Sequence, residues 1–420
     1  MINKVKGTYD LLFDETKKWQ KLEEIIRKIF SLYNYYEIRT PILEYKQVFH
    51  RETENSDMVK KETYNFLDKA GREITLRPEG TAGVIRSYIE NKLYINNELQ
   101  KLYYLGPNFR YERPQKGRYR QFSQFGVEAI GIDNVYIDLE VIALASQILK
   151  TLGLKDIRVN LNSLGDKESS TAYKKVLHEY FKDSQTLLCD DCKSRIKTNP
   201  LRILDCKIDG NHQLVKDAPL PLDSLNLASK TRFENLLKAL NNSKISYQIN
   251  PRLVRGLDYY CHTVFEIEAQ IEGFGSQNVL CGGGRYSNLV KELGGPDKSG
   301  IGFAFGIERL LMALEANQVE LISLEQTDCY ILYFNESDIL AATTLLNTLR
   351  VNEINAEINY DSKNFKTQLK NALGKNARYL LILGEDELKN ETITIKDTNL
   401  ETQETIKQTE LILYLKKRLK

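Results

Sequence analysis

Residues 299–311 read SGIGFAFGIERLL, with Gly300, Gly302, Ala304 and Gly306 alternating with Ile301, Phe303, Phe305 and Ile307. Successive side chains of a β-strand point to opposite faces, so this order puts every bulky group on one side and almost nothing on the other. Glycine weakens a strand interior unless something must lie close against its backbone. The chain is therefore expected to build a sheet with one apolar face on a core and one flat, bare face. Glu308 and Arg309 follow where a helix opens, so a guanidinium sits at the end of the bare face. A planar base could rest there, with Arg309 over it or on its phosphates. The plainer alternative is a glycine-rich strand packed against a helix.

Residues 106–131, GPNFRYERPQKGRYRQFSQFGVEAIG, crowd Arg110, Arg113, Lys116, Arg118 and Arg120 among aromatic rings and include Glu112 and Glu128. The Pro and Gly of RPQKGR mark a turn, so the two halves should pair as a hairpin. Its arginines offer forked contacts to phosphate oxygens. Solvated charge is a sufficient account of Arg113 and Lys116, less so of Arg110, Phe122 and Glu128, which sit in apolar surroundings.

Two further stretches carry candidate site residues. TLRPEGTAGVIRSY places Glu79 and Thr81 after Pro78, at a turn entering a helix. A carboxylate and a hydroxyl there suit an ammonium group, while helix capping by Thr81 is an equally simple reading. LVRGLDYYCHTVFEI sets Arg255 before a glycine and ahead of Tyr259 and Tyr260. Taken alone that arginine reads as a surface ion pair; beside the other stretches it looks aimed at the same pocket.

At 420 residues the chain is long enough for two or three domains. Lys plus Arg total 59 against 57 Asp plus Glu, so bulk charge argues neither for nor against nucleic acid. The sequence MINKVKGTYDLLFDE has no apolar signal core and no apolar run approaches a membrane span, so a cytoplasmic location with reduced thiols is expected. Residues 17–33 have helical apolar spacing, and YYEIRTPILEY after them favours extended chain. Residues 166–250 are charged and helix-rich, and 307–325 read as a helix. A boundary near residues 325–328 separates 1–325 from 326–420, where apolar strands alternate with helical stretches as in a compact α/β unit. The cysteines at 189, 192 and 206, with His212, could supply three thiols and an imidazole to a tetrahedral zinc ion.

TPILE, FRYERPQKGRYRQF and GFAFGIERL resemble the three signature motifs of class II aminoacyl-tRNA synthetases. LRPEGTAG, LVRGLDYY and CGGGRYSNLV resemble the elements particular to the histidyl-tRNA synthetase family. The resemblance covers essentially the whole chain. It implies an antiparallel-sheet catalytic domain over 1–325 with a helical insertion at about 166–250, and an α/β anticodon-binding domain over 326–420. The implied reaction activates L-histidine with ATP and Mg2+ to histidyl-adenylate and pyrophosphate, then passes histidine to the 3′ end of its cognate tRNA, releasing AMP. It also implies a homodimer, formed around Pro41, no tightly bound cofactor and no dependence on metal at the cysteines.

By the same resemblance Arg110 holds the α-phosphate and Glu112 the adenine end, Phe122 stacks beneath the base, and Arg118 and Arg309 hold the bent triphosphate. Glu79, Thr81 and Gln124 receive the ammonium of histidine, while Glu128 and Tyr260, with Tyr259 beside them, take its imidazole. Arg255 sits by the α-phosphate and scissile region, where related enzymes use a metal ion, and with Arg110 it is the implied catalytic residue. Ser123 stands where the family usually has histidine. A catalytically silent regulatory relative, or a degenerate RNA-binding scaffold, would tend to lose residues 328–420 or the imidazole pocket; Glu79, Glu128, Tyr260, Arg110, Arg255 and Arg309 are all present here.

Overall fold

The computed structural model describes residues 2–51, 56, 58–95, 98–269, 278–322, 326–361 and 364–419. The chain divides into two compact units, Met1–Leu321 and Ile322–Lys420; the expected boundary residue Glu325 lies outside the described residues. In the first unit the strands are β1 (Tyr36–Glu37), β2 (Leu43–Tyr45), β3 (Tyr64–Leu67), β4 (Glu73–Leu76), β5 (Gln100–Phe109) and β6 (Gln121–Ile130). They continue with β7 (Ile157–Ser163), β8 (Gln248–Ile249), β9 (Tyr260–Ala269), β10 (Val279–Tyr286) and β11 (Gly300–Gly306).

Eight of these form one sheet in the order β1-β5-β6-β11-β10-β9-β7-β8. Its pairs are antiparallel except the two outermost, β1 with β5 and β7 with β8. The alternation in β11 has the expected consequence. Ile301, Phe303 and Phe305 join Phe125, Val127 and Ala129 of β6 in the main core. The helix Asp14–Leu32 adds Trp19, Leu22, Ile26 and Phe30 to that core, and the helix Val135–Thr151 adds Val141, Leu144 and Ile148. Burial of each such Val, Leu, Ile or Phe side chain contributes roughly 1.5–3 kcal/mol.

The helix after β11 is shorter than its apolar pattern suggests. It spans Ile307–Ala316, not 307–325, because Asn317 caps it and Gln318 takes a left-handed backbone with φ of 56°. The helix-rich stretch at about 166–250 divides between two cores. The helices Lys167–Phe181 and Asp190–Thr198 bury Tyr173, Leu177, Phe181 and Ile196 in a small core of their own. The helix Leu227–Asn242 instead buries Phe233, Leu236 and Leu240 in the main core.

The second unit has β12 (Cys329–Tyr333), β13 (Ala356–Ile358), β14 (Tyr379–Leu383), β15 (Thr392–Asp397) and β16 (Thr402–Lys407) in the order β13-β12-β14-β15-β16. β12 is parallel to both neighbours and β14-β15-β16 is antiparallel, so the unit is the partly parallel α/β fold its alternation indicates. Among the described residues, no helix is long and apolar enough to cross a membrane.

Candidate active site

The bare face of the large sheet is the floor of a cavity of about 370 Å3. Two-residue periodicity places Phe122, Gln124, Gly126 and Glu128 of β6 on that face. The register sets Gln124 opposite Gly306, Gly126 opposite Ala304 and Glu128 opposite Gly302. On the next strand Gly282 faces Glu266. Two of these glycines are required by close approach. A methyl group on Gly302 would overlap the Glu128 carboxylate and the Val127 carbonyl, and one on Gly282 would overlap the Arg255 guanidinium. The bare strand thus lets charged side chains lie flat on the sheet.

One end of the cavity is cationic. The hairpin β5–β6 pairs from Gln100 with Ile130 to Phe109 with Gln121, and its loop turns at Gly117, whose φ is +71°. That loop brings Arg110 and Arg118 beside Arg309, which emerges from the first turn of its helix and donates from Nε to the Gly117 carbonyl at 3.2 Å. Arg110 donates to the Pro78 carbonyl at 2.9 Å and lies 5.2 Å from the Phe122 ring centre. Arg118 stands 3.7 Å from Glu112. Burial, and then the charge of Arg118, hold Arg309 below its ordinary pKa. Three guanidiniums converging with one carboxylate between them make a site for a polyanion.

The other end is polar but buried. The Glu79 carboxylate accepts the backbone N–H groups of Thr81 and Ala82 at 2.7 and 2.9 Å, so Glu79, not Thr81, caps the helix Thr81–Glu90. The Thr81 hydroxyl is thereby free to donate to Glu128 Oε1 at 2.7 Å, while Tyr286 donates to Oε2 at 2.8 Å. Burial pushes the Glu128 carboxyl up to about 8, against the pull of those two hydrogen bonds. Tyr259 and Tyr260 pack ring to ring beside it, 4.7 Å between centres, and burial raises Tyr260 to about 12. Gln124 accepts from Asn108 through Oε1 at 2.8 Å.

Between the two ends Arg255 pairs with Glu266. Burial opposes its charge, and the Glu266 carboxylate, ahead of Tyr260, more than offsets this, so its pKa lies above the ordinary arginine value. Its Nε has no partner among the described residues. The isolated reading of Arg255 as a surface ion pair is therefore half correct: the pair exists, but it lies in the cavity.

All the residues singled out from the sequence for histidine or ATP line this one cavity. Sequence reasoning missed Tyr286, Glu266 and the contact of Tyr9 with Glu308. Tyr286 lies inside CGGGRYSNLV and Glu266 follows Tyr260 by an even number of residues, so both carried a signal. Tyr9 carried none, since its hydroxyl reaches Glu308 at 2.5 Å across 299 residues of chain. Glu308 also accepts the Ser123 amide at 2.7 Å, and a backbone contact of this kind is indifferent to the side chain at 123.

The zinc reading needs one correction. Asp209, not His212, lies with Cys189, Cys192 and Cys206. His212 Nδ1 instead accepts the Leu214 amide at 3.2 Å, capping the next short helix.

Sheet and cavity together place the protein among the class II aminoacyl-tRNA synthetases, in which an antiparallel sheet is the platform that joins an amino acid to a nucleotide. The family model described as Histidyl-tRNA synthetase matches residues 7–310, and that described as Anticodon binding domain matches 328–418. The histidine–tRNA ligase of Acholeplasma laidlawii is 53% identical over 99% of both chains. That of Phytoplasma mali is 52% identical over 100% of this chain and 99% of its own. The apo histidyl-tRNA synthetase of S. aureus, a solved structure, superposes with a TM-score of 0.85 at 42% identity, covering 99% of this chain and 100% of that one. The chain belongs to the histidyl-tRNA synthetase family. It activates L-histidine with ATP to histidyl-adenylate and pyrophosphate, then transfers histidine to the 3′ end of its tRNA and releases AMP.

Proposed function

We propose that the two ends of the cavity divide the substrates between them. ATP lies at the cationic end, with Arg110 on the α-phosphate, Glu112 at the adenine, Phe122 under the base, and Arg118 and Arg309 on the bent triphosphate. Magnesium enters with the nucleotide, as part of that substrate. Histidine lies at the buried end, its ammonium on Glu79, Thr81 and the second lone pair of Gln124 Oε1, its imidazole between Glu128 and Tyr260, with Tyr259 as a wall. The supporting observation is that Glu128 and the arginine cluster line one cavity.

Arg255 lies between the two ends, where the histidine carboxylate attacks the α-phosphorus in line. The chain's own groups position reactants and neutralise spreading phosphate charge, so no nucleophilic side chain is required. Histidine-dependent exchange of pyrophosphate into ATP tests this reading. Exchange with histidine alone among the amino acids is expected; no exchange would mean a regulatory or scaffold protein.

We assign tRNA contacts to residues 326–420 and the adenylate chemistry to 1–325. Truncation after Glu325 should leave pyrophosphate exchange measurable and raise the Michaelis constant for tRNA at least about tenfold, equivalent to roughly 1.4 kcal/mol. An unchanged constant would refute the assignment. A homodimer is read from the apolar side chains Ile42, Leu43, Tyr45, Phe66 and Leu67, all exposed on and beside the small sheet β2-β4-β3. A cytoplasmic setting is read from six unpaired cysteines.

A further inference from the structure

The segment between β7 and β9 contains a cluster that the reaction does not use. Cys189 caps the helix Asp190–Thr198 and Cys192 lies in its first turn. Cys206 follows the short turn Pro200–Ile203, and Asp209 comes three residues later. The three sulfurs and one Asp209 carboxylate oxygen all lie within 4.8 Å of one another. Cys192 and Asp209 are buried, Cys206 is nearly so at 9% exposure, and Cys189 is half-buried.

We propose that Cys189, Cys192, Cys206 and Asp209 bind one structural zinc ion.

Geometry supports a metal over the alternatives. Sulfurs bound to one tetrahedral zinc at about 2.3 Å stand about 3.8 Å apart. Cys189 Sγ and Cys206 Sγ are 3.8 Å apart. A disulfide needs about 2.05 Å, and all of the cysteines are free. The sequence around the cluster is a Cys-x-x-Cys pair, thirteen residues, then a Cys-x-x-Asp pair. Two pairs of equal spacing are the arrangement by which two tight turns face one ion, here with a carboxylate in place of the fourth thiolate.

The surroundings suit anionic ligands. The Asp209 amide donates to Cys206 Sγ at 3.5 Å, and the Cys189 amide to Asp209 Oδ2 at 2.9 Å. Arg195 donates to Cys192 Sγ at 3.8 Å. Such second contacts orient ligands and hold them in the metal-binding form. Three thiolates and a carboxylate around a dication leave a charge of about −2, which the neighbouring guanidinium partly offsets.

The ion would also brace the active site from outside. Between the two ligand pairs, Asn199 donates to Asp258 at 2.6 Å and Arg202 to the Arg255 carbonyl at 3.2 Å. Fixing both ends of that segment holds the loop that presents Arg255.

Metal content of the full-length protein, purified under reducing conditions and dialysed against zinc, tests the proposal. About one zinc per chain is expected. Cys192→Ser and Asp209→Ala should fall below about a fifth of that, Asp209→Cys should retain it, and Cys329→Ser, in the other unit, should be unaffected. Replacement by cobalt should give the visible bands of a tetrahedral site and thiolate charge transfer in the near ultraviolet. The cobalt spectrum of the parent decides if Cys192→Ser does not fold. A metal-free parent after reconstitution, equal metal content in Cys192→Ser, a cobalt spectrum without charge transfer, or a Cys189–Cys206 disulfide would each overturn the proposal.

Discussion

Arg255→Ala is expected to leave a folded protein whose histidine-dependent pyrophosphate exchange is slower by a thousandfold or more, roughly 4 kcal/mol of lost transition-state stabilisation. The guanidinium lies flat on Gly282 between the cationic and the buried ends of the cavity, and its Nε has no partner among the described residues. Charge spreads over the α-phosphate only as the histidine carboxylate attacks. A fixed cation there therefore acts on the rate more than on either Michaelis constant. Removal also strands Glu266, which costs stability. The double variant Arg255→Ala/Glu266→Gln separates the two effects, because it should recover thermal stability and none of the exchange. Arg255→Lys should recover only part of the rate, since an ammonium does not reproduce the planar fork. Near-parental exchange in folded Arg255→Ala would end the mechanism proposed here.

Glu128→Gln is expected to raise the Michaelis constant for histidine by roughly 30- to 150-fold, equivalent to 2–3 kcal/mol, and to leave that for ATP nearly unchanged. Each Glu128 oxygen already accepts one hydroxyl, from Thr81 or Tyr286, and keeps a lone pair for an imidazole N–H. Tyr260→Phe should act in the same direction more mildly, because one neutral hydrogen bond is lost. Equal losses for both substrates would show that imidazole is recognised elsewhere.

The same substitution should stabilise the empty protein. Folded Glu128 keeps its proton up to about pH 8, whereas the unfolded chain releases it near the ordinary carboxyl value of 4.5. Between those limits the unfolded state binds fewer protons, so stability falls as pH rises through the window. At pH 8 and above the deficit reaches at most about 5 kcal/mol, which glutamine removes. Thermal denaturation should find the variant more stable than the parent at pH 8, with the gap closing toward pH 4.5. If the Glu128 carboxylate accepts the imidazole N–H as proposed, the Michaelis constant of the parent for histidine should fall as pH rises toward 8, where that carboxylate becomes populated.

Much of this was legible in the amino-acid order because the information is local. The alternation in residues 300–306 determines which face of β11 is bare, whatever packs on the other side. Period two likewise commits Phe122, Gln124 and Glu128 to one face of β6, and the Pro-Gly turn between Arg113 and Arg118 makes a hairpin of the two halves. Apolar periodicity extends the Ile307 helix too far, because it does not register the left-handed residue at Gln318.

Partnership across the chain was decided by the tertiary structure alone. Glu79 and Thr81 compete for the same helix end in sequence. Only the approach of Glu128 across the sheet draws the Thr81 hydroxyl away and leaves the cap to Glu79. Arg255 reads as a surface ion pair until the bare α-carbon of Gly282 gives it a place to lie beside Glu266. Asp209 supplants His212 in the cysteine cluster because a tight turn brings the third residue after Cys206 back to the sulfur, while His212 is spent capping the next helix. Side-chain alternation is set by the covalent chain, and is therefore written in it. The choice among competing hydrogen bonds depends on which distant group arrives, and on the burial that raises the cost of leaving any of them unmade.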